Sequence, residues 1–293
     1  MSLRITQKSL TLTTSKNLQV NLSEMQRLQD QLSSGKLISK PSDSPTGTVS
    51  ALKLRADLRR GEQLERNAND SIAWLSAADS TMFEGLSVFS RVRNLALQGM
   101  NASSGPEARE ALAVEIEGLR EHMIGVANTK HLGRPLFGGT TGTDQAFDPN
   151  GTYIGDDGAI ERTVMDGLTV QVNVTGEQVF GTNGSNVFDV LTDIVDSLRN
   201  DPSALNANLE ALDERAVAFR SAHAQVGARY NQVEAMRERT ESARLNSKNA
   251  LAEVESIDLP ATIMELKLQE VAYQAALSAT ARVIQPSLLD FLR

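Results

Sequence analysis

Cysteine is absent from the 293 residues, which excludes disulfides, thiolate nucleophiles and cysteine-ligated metals. Aromatic side chains make up only 4%, with a single Trp, and so small a supply argues for narrow helical packing over a thick globular core. Histidine is confined to His122, His131 and His223, and none stands at a metal-ligand spacing such as H-E-x-x-H. No apolar run approaches the ~20 residues that span a bilayer, and Met1 to Leu12 lacks the basic-then-apolar order of a cleaved signal peptide. A basic stripe is missing as well. The 37 acidic and 29 basic residues are interspersed, the net charge is -8, and neither nucleic acid nor a membrane is expected as a partner.

Catalytic signatures are missing too. Gly133-Arg134-Pro135-Leu136-Phe137-Gly138-Gly139 lacks the G-K-[ST] ending of a phosphate loop, and no strand precedes it, so a turn is expected there. There is no G-x-S-x-G elbow. Asp156 and Asp157 sit among glycines, where a solvated turn is the expectation and weak cation binding the minor alternative. The chain is read as no enzyme, with no cofactor and no metal.

What is present is a division by glycine. Of the 20 glycines, 11 fall between Gly133 and Gly184, and only Gly227 follows. Residues 131–188 also carry the turn signals Asp148-Pro149-Asn150-Gly151, Gly155-Asp156-Asp157-Gly158 and Asp166-Gly167, and the strand-like run Leu168 to Val174. They are expected to form a small β-rich insertion. Both flanks show helical periodicity instead. Leu75, Ala78, Met82, Phe89, Val92 and Ala96 make one seam with Gly85 in a gap; Leu112, Ile116, Leu119, Met123 and Val126 make a second; Phe219, His223, Val226, Tyr230 and Val233 make a third. His223 is thereby expected in the packed seam, and His122 and His131 at the surface or in loops.

Helix starts are marked by Ser44-Pro45, Asp201-Pro202, Pro106 and Pro260. From Pro45 to Met100 no further proline interrupts, and a continuous helix there would run roughly 80 Å at 1.5 Å per residue. The two ends differ. Leu18, Leu22, Met25 and Leu32 form a sparse stripe near the start, and Met264, Leu268, Val271, Ala275 and Ala279 form another near the end. Such stripes are too thin to hold an isolated helix, so both ends are expected to need partners.

Leu32 to Pro45 reads Leu-Ser-Ser-Gly-Lys-Leu-Ile-Ser-Lys-Pro-Ser-Asp-Ser-Pro, which resembles the N-terminal signature of bacterial flagellins and their junction proteins. Asn67-Ala68-Asn69-Asp70-Ser71-Ile72, Leu75-Ser76-Ala77-Ala78-Asp79 and Arg93-Asn94-Leu95-Ala96-Leu97-Gln98 resemble the same family in the same order. Ser44 departs from it, standing where the family commonly has a second Asp. Gly133 to Gly139 and the tail Ser287-Leu288-Leu289-Asp290-Phe291-Leu292 resemble the hook-filament junction branch more than the filament-forming flagellins. The resemblance covers both flanks, while the insertion matches loosely.

That resemblance implies a mainly α, elongated flagellin-like helical rod, with long coiled-coil helices from both chain ends and a small β-rich middle insertion. Residues 1–40 and 258–293 would form a terminal assembly domain, disordered in the monomer; 41–130 and 189–257 the helical rod; 131–188 the outer insertion. The implied function is structural, at the junction between hook and filament and as a template for flagellin polymerisation; the alternative is a minor flagellin forming the filament itself. An enzyme hidden in the insertion and a cytosolic coiled-coil scaffold explain less of the sequence. Implied partners are the first hook-associated junction protein, flagellin, copies of the chain in a ring, and a flagellar export chaperone. The implied location is extracellular, on the flagellum, after export by the flagellar apparatus without a cleaved signal. Leu18, Leu22, Met25, Leu32, Met264, Leu268, Val271, Ala275, Leu288, Leu289 and Phe291 are the expected assembly interface.

Overall fold

The computed structural model describes residues 7–101 and 105–284. The chain is mainly helical, with long helices in both flanks and a small β-bearing middle. Helix α1 spans Gln7–Ser34, α2 Pro45–Gly99 and α3 Pro106–Ala127. The middle then supplies two antiparallel hairpins, β1 (Lys130–His131) with β2 (Arg134–Pro135) and β3 (Glu161–Met165) with β4 (Leu168–Gln171). A short α4 (Gly176–Phe180) and α5 (Val187–Asn200) follow, then α6 (Leu205–Glu255) and α7 (Leu259–Ile284).

Local chemistry accounts for where these helices begin. The Ser44 hydroxyl accepts from the Gly47 amide at 3.1 Å, and Pro45 occupies the first helical position of α2, where no N–H is needed. Helix α3 likewise opens on Pro106. Asn186 and Asp189 form a reciprocal capping box on α5, at 2.9 and 3.1 Å. Asp201 accepts from the Ser203 amide at 3.2 Å, setting a 3-10 turn at Pro202–Ala204 before α6. The Asp258 carboxylate accepts from Ala261 N at 3.1 Å at the start of α7.

The chain divides into two compact units. Residues 60–243 form one, and its buried apolar residues run without interruption from Ala68 to Val233. All six residues of the first seam are buried, and in the third seam Phe219, Val226 and Val233 are buried while His223 and Tyr230 are half-buried. His223 Nε2 lies 2.8 Å from Asp79 Oδ1, and the Arg93 guanidinium 2.9 Å from Asp213, so α6 lies along α2. His122 is exposed and 3.1 Å from Glu84; His131 lies in β1, half-buried, edge-on to Trp74 at 5.6 Å.

Aromatic scarcity does not make this core thin everywhere. Six of the eight Phe residues form one cluster: Phe89 meets Phe219 at 5.3 Å, Phe219 meets Phe180 at 5.5 Å, and Phe180 meets Phe137, Phe147 and Phe188 at 5.2–5.7 Å. Such edge and offset pairs contribute about 0.5–1.5 kcal/mol each beyond area burial. The insertion therefore shares its core with α2, α5 and α6.

The strand-like run of the middle ends early. Only Leu168–Gln171 are in β4, because at Asn173 the side-chain amide takes over the pairing, accepting from Ile160 N at 2.7 Å and donating to Gly158 O at 2.8 Å.

Candidate assembly interface

The second unit comprises the described parts of Met1–Arg59 and Arg244–Arg293. Its two helices from opposite ends of the chain, α1 and α7, pack on each other, with the Gln269 amide 3.4 Å from Asn21 O and Oδ1. On α1, Leu28 is buried, and Leu18, Met25 and Leu32 are half-buried on the same heptad stripe; Leu22 is 38% exposed. On α7, Leu266, Gln269, Tyr273 and Ala276 are half-buried.

The other side of α7 is different. Met264, Leu268 and Val271 are 65, 72 and 64% exposed, and Ala275 continues their line at the i, i+4, i+7, i+11 spacing of one helical stripe. Ile263 and Leu277 are exposed beside it. Full burial of each large side chain would yield about 1.5–3 kcal/mol, most of which is not realised among the described residues. The expected interface residues thus fall into two groups. Those on α1 are partly covered by α7, whereas those on α7 face away from that pairing. Leu288, Leu289 and Phe291 lie outside the described residues.

The signature segment between α1 and α2 is a tied loop. Gly35 ends α1 at φ +68°, a conformation open to glycine at little cost. Lys36 bridges to Ser256, and the Leu37 amide donates to Glu255 O at 2.7 Å. The Gln31 side chain, 4% exposed, donates to Leu37 O at 2.9 Å. The Asp43 carboxylate accepts from the Lys40 and Ser39 amides at 2.8 and 3.0 Å, which holds its pKa below the ordinary aspartate value. Glu255, with its side chain 10% exposed, receives the Arg55 guanidinium at 2.7 Å and lies 3.9 Å from Lys36 Nζ. A groove of about 790 Å³ runs beside this loop, lined by Arg27, Leu37, Ile38, Asp43, Thr46 and Val254 among others.

Sequence reading missed Leu28, Gln31 and Glu255. Leu28 was within reach of it, being the third step of a stripe whose neighbours Met25 and Leu32 were singled out. Glu255 carried no local signal, because its partner Arg55 lies 200 residues away. Among the described residues no group of three or more His, Asp or Glu could hold a metal ion, and no helix is long and apolar enough to cross a membrane.

Residues 5–141 match the bacterial flagellin N-terminal helical region. That match spans 137 of the 293 residues, just under half of the chain. Over 281 residues, 95% of both proteins, it is 24% identical to a flagellin of Halalkalibacterium halodurans. It is 23% identical to flagellar hook-associated protein 3 of Escherichia coli over 282 residues, 87% of this chain and 89% of that one. Among solved structures, flagellar hook-associated protein 3 of Legionella pneumophila superposes with a TM-score of 0.63 at 15% identity, covering 69% of this chain and 98% of that one. This last likeness is one of fold. These relatives are structural flagellar proteins, and helix α1 and the tied loop described above lie within the residues that match the flagellin N-terminal region.

Proposed function

We propose that this chain is a structural subunit of the bacterial flagellum that joins hook to filament, associating through its two ends. The carrying observation is the exposed apolar stripe Met264, Leu268, Val271 and Ala275 on α7, a helix already packed on α1 along another side. Contiguous exposed apolar stripes of this kind mark surfaces that meet a partner. In this reading, residues 1–40 and 258–293 form the assembly domain, the long helices the next layer, and residues 131–188 the outer part. Copies of the chain form a ring between the first hook-associated junction protein and flagellin, after export with a chaperone to the cell exterior. A filament-forming flagellin is the second reading, favoured by the 24% identity to a flagellin over nearly the whole of both chains.

Replacing Leu268 and Val271 together by Asp tests the proposal. Each charge would be desolvated in the assembled state, at a cost of several kcal/mol, but solvated in the free chain. Cells carrying the double variant are expected to swim poorly and to release unpolymerised flagellin into the medium, while the purified variant melts within a few degrees of the parent. Normal swimming, or a midpoint lowered by many degrees, would sink the assembly role. Deleting the chain separates the two readings: bare hooks with secreted flagellin support a junction, and filaments of another flagellin on those hooks support the alternative.

A further inference from the structure

Asparagine followed by glycine occurs twice, as Asn150-Gly151 and Asn183-Gly184, both in the middle of the chain. A glycine in that place sets no side chain in the way of its own amide nitrogen, which can attack the asparagine Cγ and close a five-membered ring. The two pairs read alike in sequence, but the fold treats them differently.

At the first pair the attacking nitrogen is tied up. The Gly151 amide donates to Asp148 O at 3.0 Å, and the Gly151 carbonyl accepts from Asn186 Nδ2 at 2.9 Å. Gly151 is buried, a Cβ built on it would stand 2.6 Å from Cβ of Phe188, and the Arg120 guanidinium donates to Asn150 O. Turning the Gly151 amide toward Asn150 Cγ breaks these contacts together.

At the second pair the nitrogen is free. Thr182 to Ser185 make a turn closed by the Ser185 amide, which donates to Thr182 O at 3.1 Å, with Gly184 in its third position at φ +87°. The Gly184 amide makes no hydrogen bond among the described residues, open space surrounds Gly184, and both residues of the pair are exposed to water. The carbon under attack is prepared as well. Asn183 Oδ1 accepts from the Tyr153 amide at 2.8 Å, while Nδ2 donates to Tyr153 O over a longer 3.4 Å. Attack at Cγ moves negative charge onto Oδ1, where the Tyr153 N–H already points, and Nδ2 is the weakly held side that departs.

We propose that Asn183 is a self-modifying site, at which the Gly184 nitrogen displaces the side-chain nitrogen as ammonia. The bond formed is Gly184 N to Asn183 Cγ, the bond broken is Cγ to Nδ2, and the proton lost from the Gly184 amide balances the one that the departing ammonia takes up. Water then opens the succinimide at either carbonyl, which leaves aspartate or isoaspartate at 183 with no change in oxidation state. Aspartate cannot donate to Tyr153 O, and isoaspartate lengthens the turn by a methylene; both loosen the segment that leads into the Asn186 cap of α5. The inference goes beyond the reading above and does not depend on what the chain assembles with.

The purified full chain, held in mildly alkaline buffer with or without urea and followed by peptide mass spectrometry, tests it. In the folded chain conversion at 183 is expected to be about tenfold or more faster than at 150, and in urea the two pairs should convert at similar rates, because the fold makes the difference. Asn183→Gln, which needs a larger ring, should abolish the change at 183 and leave 150 as it was. The melting midpoint of the parent should fall as 183 converts and stay put in Asn183→Gln over the same incubation. Equal rates at the two pairs in the folded chain, faster conversion at 150, or the same preference for 183 in urea would each overturn the inference. Slower conversion at 183 in the folded chain than in urea would overturn it too, since the Tyr153 donor would then protect Asn183 instead of activating it.

Discussion

At position 85 an α-helix holds a glycine, which by propensity costs about 1 kcal/mol relative to alanine. The reason lies across the interface, where a Cβ built at Gly85 would stand 2.7 Å from Cζ of Phe219. That ring is fully buried and held between Phe89 and Phe180, so it cannot swing aside. Overpacking of this kind costs about 1–3 kcal/mol, enough to cancel or exceed the propensity gain. Gly85→Ala is therefore expected to leave the midpoint unchanged at best and more often lower it by several degrees. Gly118→Ala, on an exposed position of α3 with open space around it, should raise the midpoint. Thermal melts of the two variants check the pair, and a midpoint higher in Gly85→Ala than in Gly118→Ala would refute the packing account.

Helix α5 shows a conflict at the next scale. Asp189 is committed to the capping box, and Asp193 and Asp196 follow it at i+4 and i+7, which places three carboxylates on one face. Burial first, then the neighbouring Asp189 and Asp196, push the Asp193 pKa up from its ordinary value. A carboxyl raised on folding favours the folded chain fully below its unfolded pKa, and that contribution is lost as pH rises through the folded value. Asp193→Asn should therefore stabilise the protein at neutral pH, by roughly 0.2–0.5 kcal/mol per like-charged pair removed. The gain should vanish as pH falls below the ordinary aspartate pKa. Melts of parent and variant across that range test it; a gain that persists in acid would assign the effect to something other than charge. At the opposite end of α5, Arg199 reaches both Glu110 and Glu117 of α3, at 2.9 and 2.6 Å, so the repulsion sits on a helix that is anchored elsewhere.

For the whole molecule, the distribution of buried residues decides what folds alone. Every member of the main apolar cluster lies between Ala68 and Val233, inside the unit of residues 60–243, and the aromatic cluster lies there too. A fragment of residues 60–243 is expected to melt cooperatively, within about 10 °C of the full chain, because the lost residues contribute none of that core. Calorimetry of the fragment checks this, and a broad, non-cooperative transition would refute it. The same fragment should be unable to support motility, since it lacks the α7 stripe.

Much of this was legible from periodicity and punctuation. The seams Leu75 to Ala96 and Phe219 to Val233, the start of α2 at Ser44-Pro45 and the glycine-rich break are encoded within a few residues of themselves, because helical spacing and caps act over three or four positions. The flagellin-family signature was likewise legible, though not what its residues do. That Gly85 makes room for Phe219, that Glu255 holds the loop residue Lys36 and, 200 residues away, Arg55 of α2, and that scattered Phe residues meet in one cluster were decided only by the tertiary structure. So was the sidedness of α7, which packs on α1 while Met264, Leu268 and Val271 stay exposed. The physical reason is range. Local rules place a residue on a face, but which face finds a partner depends on chain segments that approach only when the fold closes.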